Sequence, residues 1–141
     1  MIPFAYQTIT LYNKLTKRGA DGRTAVTWYR HVLTGCFWRE VFRTVASGET
    51  LVQVHEITCK IPESALYLPY AQWAADGVDR ATKFTLSVDD IIALGNVAYT
   101  IGSSYTANAV RELCQRTGVM TVVAASDNTR RPMPHYGAKG A

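Results

Sequence analysis

Residues 6–33, YQTITLYNKLTKRGADGRTAVTWYRHVL, spell out an antiparallel hairpin. In 6–15, Thr8 and Thr10 alternate with Ile9 and Leu11, the two-residue period of a strand with one buried face. Residues 16–24 read as the connecting loop. Gly19 and Gly22 accept positive φ there, and Lys17, Arg18, Asp21 and Arg23 keep the tip in water. Residues 25–33 return as a strand rich in Val, Thr, Trp and Tyr, the types that suit a pleated surface.

Outward from this hairpin the pattern changes. Residues 34–50 hold neither period throughout: Trp38, Val41, Phe42 and Val45 share helical spacing, but Ser47, Gly48 and Glu49 end it. The segment reads as a short helix or as a long aromatic loop that packs on a neighbouring subunit. Residues 51–61 form a strand with Ile57, Cys59 and Ile61 on one face and Glu56, Thr58 and Lys60 on the other, stopped by Pro62. LYLPYAQW at 66–73 is too aromatic for an exposed loop, so Tyr67, Tyr70 and Trp73 are expected to cover a barrel end or a partner surface.

Phe84, Leu86 and Val88 alternate with Lys83, Thr85 and Ser87, and Asp89-Asp90 turns the chain into 91–94, predicting a second hairpin that continues as strand over 96–101. Gly102, Ser103 and Ser104 break that strand. Thr106 is placed to cap a short helix with the inner stripe Ala107, Val110, Leu113 and Cys114, ended by Gly118. A last strand over 119–125 follows. The expected fold is mainly β: a small antiparallel barrel, or a sandwich, of about six or seven short strands with long loops and one short α-helix before the last strand. Closure also hides edge strands.

The barrel-like domain is expected over 1–126 and an extended basic C-terminal arm over 127–141, DNTRRPMPHYGAKGA. The arm sets Arg130, Arg131 and Lys139 against Asp127, and its prolines and glycines disfavour helix. Tyr136 and the paired arginines point to docking on a neighbour. Deleting 130–141 is then expected to leave the body folded.

Composition bounds the function. With 48% apolar and 18% charged residues in 141, general disorder is excluded, and much of the chain is expected in a core or in interfaces. The net charge of +4 permits a polyanion partner without a dense basic cluster. The three cysteines, Cys36, Cys59 and Cys114, are widely spaced and read as buried reduced thiols. No basic-then-apolar leader or membrane-length apolar run is visible, so the reading is cytosolic synthesis and no membrane partner.

No motif carries chemistry. Asp89 and Asp90 point to opposite sides of a strand and read as a turn. His31, His55 and His135 lie on separate elements away from ligand spacing, and GADG at 19–22 precedes no helix that would make it a phosphate loop. The expectation is a non-enzyme without metal or cofactor. Trp28-Tyr29-Arg30 is a fragment of a stacking platform, which keeps a small barrel binding single-stranded nucleic acid as an alternative. Trp28, Trp38, Tyr67, Tyr70 and Trp73 together favour a core or a subunit interface.

A series of local signals, in order, resembles a family of small head-to-tail connector proteins of tailed double-stranded DNA phages. The matching pieces are TLYNK at 10–14, TWYRHVLTGCFW at 27–38, KIP at 60–62, YLPYAQW at 67–73, KFTLSVDDIIALG at 83–95 and SDNTRRPMPHYGAKG at 126–140. The family tends to have Trp where Phe84 stands and Gly-Asp where Asp89-Asp90 stands, and residues 39–51 match poorly. The resemblance implies a neck protein of the virion, assembled in the host cytoplasm. It would be a head-closure or stopper-like subunit of a ring of about six or twelve copies, between portal or adaptor proteins and the tail. A tail-terminator ring protein is the nearest alternative. Subunit contacts are then expected from Trp38, Phe42, Tyr67, Tyr70, Trp73, Arg130, Arg131 and Tyr136. Lys17, Arg18 and Arg23 are expected to face packaged DNA through its phosphates, without base reading.

Overall fold

Strands β1 (Gln7–Arg18) and β2 (Thr24–Ser47) form the opening hairpin, with Arg18 opposite Thr24 at its tip. The computed structural model describes residues 6–101, 106–130, 132 and 134–141. β2 continues well past its partner into β3 (Thr50–Pro62), then come a single helical turn, α1 (Tyr70–Trp73), strand β4 (Ile91–Leu94), helix α2 (Thr106–Cys114), β5 (Val119–Asp127) and β6 (His135–Gly140). The strands close into an antiparallel barrel in the order β1-β2-β3-β6-β5-β4, with β4 returning to β1.

Two strands turn the barrel's corners. On β2 the register slips beside Thr34 and Gly35, and Gly35 takes φ +69°, a conformation that costs glycine little. Beyond that bulge β2 leaves β1 and pairs with β3 from Phe37 on. β5 pairs with β4 over its first three residues and with β6 thereafter. Gly140 sits where β6 crosses β5, and a Cβ there would collide with the Thr121 carbonyl oxygen.

Inside lies one apolar cluster in which Ile9, Leu11, Ile57, Cys59, Ile61, Met120, Val122 and Tyr136 meet. A second cluster lies outside β1 and β4, where Tyr12, Ile91 and Ala93 pack under Leu113 of α2. β1 is therefore buried on both faces, not on one. Thr10 accepts the Val97 amide and donates to the Gly95 carbonyl, each across 2.8 Å, which pins the covering segment to the outer side of the strand.

Four expectations need correction. Residues 83–88 are not a strand of a second hairpin. Phe84 makes a single parallel bridge with Tyr67, and Phe84 and Leu86 insert from a loop into the barrel interior. The alternation is real, but Thr85 is also fully buried, because the Asn13 amide replaces a strand partner: Asn13 Nδ2 donates to Thr85 O and Asn13 Oδ1 accepts from Thr85 N. Residues 96–101 are likewise a covering segment and not strand, held by side chains of β1 and β2.

The third correction concerns residues 38–50, which are neither helix nor loop but a β-ribbon. The fourth concerns the expected arm. β6 lies between β3 and β5 as a barrel strand of the same chain, with Tyr136 buried in the core. Among the described residues of this tail, Asn128, Thr129, Arg130, Pro132, Pro134 and Ala141 lie outside the strands. The chain-breaking roles of Gly102, Ser103 and Ser104, and the Thr106 and Ala107 side chains, lie outside the described residues.

Candidate functional site

The ribbon is the feature the barrel does not need. β3 meets β6 only over Ile57–Pro62, and β2 parts from β1 at Cys36, so residues 39–56 stand as a two-stranded hairpin with both outer edges unpaired among the described residues. At about 3.3 Å per residue its nine-residue arm reaches roughly 25–30 Å. Pairing fixes its faces. The row that lies in the core at Ile57 and Cys59 runs outward through Trp38, Phe42, His55 and Leu51.

Apolar groups stay exposed along both faces: Phe42 is 62% exposed, Leu51 73%, Val45 42% and Val52 44%. Phe42 stacks on His55 with ring centroids 4.4 Å apart, and Arg43 pairs with Glu56 at 2.9 Å on the other face. These contacts stiffen the ribbon but cover little of it. The sequence hid this because half-exposed residues on both faces leave no clean two-residue period.

The residues expected at subunit contacts divide. Phe42 and Tyr70 are on the surface, and Arg130 is exposed on the β5–β6 loop. Trp73 is fully buried in its own chain. Its indole N–H donates to Lys83 O, Tyr29 meets its ring edge-on at 5.6 Å, and Arg80 lies over it while binding the carbonyls of Trp73, Ala74 and Ala75. Tyr67 stacks on Tyr136 at 3.9 Å; Tyr136 is buried in the barrel interior and Tyr67 is half-buried over it. Trp38 is half-buried against the core margin. Arg131 lies outside the described residues.

The basic tip is partly neutralised. Lys17 Nζ meets Asp76 at 2.7 Å, while Arg18 and Arg23 are exposed. The stacking fragment is dispersed: Tyr29 packs on Trp73, Trp28 lies under Lys14, and Arg30 is bound to Val97 O and Asn96.

Among the described residues no group of His, Cys, Asp and Glu could hold a metal ion, and no helix is long and apolar enough to cross a membrane. Burial lowers the His31 pKa and raises that of Cys36 to about 12, so the Cys36 thiol stays protonated near neutrality. Asp90 is the buried polar centre that turn chemistry did not predict. It is fully enclosed and accepts from Asn13, the Lys14 amide and Ser87.

A family model described as a family of unknown function, DUF6751, matches residues 4–141. The chain belongs to that family. Comparison with curated proteins and with solved structures gives no match. The matched residues span the barrel, the ribbon and β6.

Proposed function

We propose that the chain is a structural subunit of the neck of a tailed double-stranded DNA phage, a head-closure (stopper-like) ring protein between portal or adaptor proteins and the tail. The observation that carries this reading is the ribbon of residues 39–56, with exposed apolar side chains on both faces and, among the described residues, both edges unpaired. A monomeric protein covers or charges such edges, whereas a subunit inserts them between neighbours. The ordered series of resemblances from Thr10 to Gly140 supplies the phage setting.

In this role the barrel is a rigid body and the ribbon is the connector. Phe42, Val45, Leu51 and Val52 provide apolar contact that a polar ring channel would not use, so the ribbon serves protein–protein contact. The buried Trp73 and Tyr136, with the half-buried Tyr67 stacked on Tyr136, set the shape that presents it.

The test is particle assembly in cells that express the neck proteins with Phe42→Ser/Leu51→Ser in place of the wild type. The expected result is a folded subunit missing from particles, and heads that lose packaged DNA. DNA-filled heads with tails of abnormal length would instead assign the tail-terminator role. Normal incorporation of the variant would sink the ribbon as the connector.

A further inference from the structure

We propose that the outward face of β3, β6 and β5 holds a phosphate-binding site for the backbone of double-stranded DNA. A concavity of about 330 Å³ opens there, lined by Thr58, Lys60, Ser126, Asn128, His135 and Lys139 over a floor of small residues. The register builds it: Lys60 lies opposite Gly137, which lies opposite Ser126, and Thr58 lies opposite Lys139, which lies opposite Ala124. Alternation therefore directs these side chains to the same side, away from Cys59, Tyr136 and Ala138 in the core.

Gly137 makes the hollow possible. A Cβ there would lie 2.8 Å from Ser126 Oγ and 3.3 Å from Asn128 Nδ2, so any other residue would push both polar groups off the floor. Asn128 Nδ2 donates to Ser126 Oγ across 3.0 Å, which leaves the serine proton available to an incoming acceptor. Two lysines and a hydroxyl donor thus surround one small depression, a donor set that suits a phosphate oxygen.

The charged side chains that line the site are lysines, and Glu56, further along the same face of β3, is paired with Arg43. No acid is among the residues that line it. The nearest carboxylate in sequence, Asp127, is engaged by the Thr129 amide and hydroxyl, which hold its pKa down. Arg39, paired with Thr58, extends the positive row along β2, and Arg130 stands on the adjoining loop. Lys60 rests its ammonium over the Phe37 ring at 5.2 Å, which leaves its charge uncompensated, whereas Lys17 at the hairpin tip is paired with Asp76. A linear polyanion fits this row better than a lone anion, because spaced cations match successive phosphates.

The biological setting rests on the neck reading, but the binding does not need assembly, so the two fail separately. The purified full chain is titrated into a short labelled duplex of arbitrary sequence, with anisotropy read across a salt series. Binding is expected to weaken with salt and to be indifferent to sequence. Each lysine on a phosphate contributes about 0.9 to the slope of log K against log salt, so Lys60→Ala/Lys139→Ala should lower that slope by about two. Asn128→Asp, which adds a carboxylate to the floor without changing size, should weaken binding as well. Arg18→Ala/Arg23→Ala should leave it nearly unchanged. Unaltered melting curves show that the variants fold. No salt-dependent binding by the wild type overturns the proposal, as does a loss confined to the hairpin-tip variant.

Discussion

Asn13 Nδ2 donates to Asp90 Oδ2 over 2.9 Å in the interior, joining β1 to a turn seventy-seven residues later. The same amide group holds Thr85 through both its atoms, so one asparagine fastens the loop that fills the barrel. Burial raises the Asp90 pKa to about 6, against the opposing effect of hydrogen bonds from Lys14, Ser87 and Asn13. The folded value lies above the unfolded one, so the folded chain binds more protons between about pH 4 and 6.

Stability from this group is therefore greatest below that window, falls as pH rises through it, and is level above. Subtracting the melting profile of Asp90→Asn from that of the wild type isolates the effect. The wild type should lose ground steadily to the variant as pH rises to about 6. Asn13→Ala removes a donor to the carboxylate, so it should move the window upward and cost about 1–3 kcal/mol. A wild-type-minus-variant difference that is constant from pH 4 to 7 would falsify the assignment.

The cysteines give a simple count. Cys36 and Cys59 are enclosed by the barrel, with burial raising both thiols and Cys36 adding to the effect on Cys59. Cys114 is exposed at the end of α2. At mildly alkaline pH one thiol per chain should react quickly with a disulfide-exchange reagent, and the other two only as the chain unfolds. Two fast thiols in the folded protein would contradict the packing inside β2 and β3.

β3 and most of β5 were legible because each buries one clear stripe. The hairpin was legible although β1 is buried on both faces, and α2 although Cys114 of its expected inner stripe is exposed. β3 is the plainest case, since Ile57, Cys59 and Ile61 are all interior. β6 was not legible, because HYGAKG carries small residues where it crosses its neighbours closely, and Gly140 looks like linker unless the Thr121 carbonyl beside it is known. Residues 83–88 misled in the opposite way: their alternation matched a strand, but the ladder partner is a side chain, Asn13, which no periodicity reveals. Of the proposed assembly residues, Phe42 was expected from the aromatic character of its segment. The direction it faces came only from its pairing with His55.

Trp73 and Phe42 separate folding from assembly. Trp73→Ala deletes a fully buried indole and the surface on which Arg80 rests, so a loss of about 3–5 kcal/mol is expected in denaturant unfolding of the isolated chain. Phe42→Ser removes a mostly exposed ring and should change stability by no more than about 0.5 kcal/mol. Its effect should be seen in association, by light scattering or particle incorporation. Equal destabilisation by the two changes would place Phe42 in the fold and withdraw it from the interface.

β6 supplies the sharpest contrast with an arm. Deleting residues 135–141 opens the barrel between β3 and β5, removes Tyr136 and Ala138 from the core and strips Tyr67 of its stacking partner. Loss of a barrel strand also exposes two new edges that invite aggregation. The truncated chain should therefore lose cooperative melting. Gly140→Ala is a finer probe: its methyl would meet the Thr121 carbonyl, so the end of β6 must shift while the rest of the barrel stays closed. Hydrogen exchange should accelerate in Val122 and its β6 neighbours and not in the β1–β2 hairpin. A truncated protein that still melts cooperatively near the wild-type temperature would return the segment to the role of a dispensable arm.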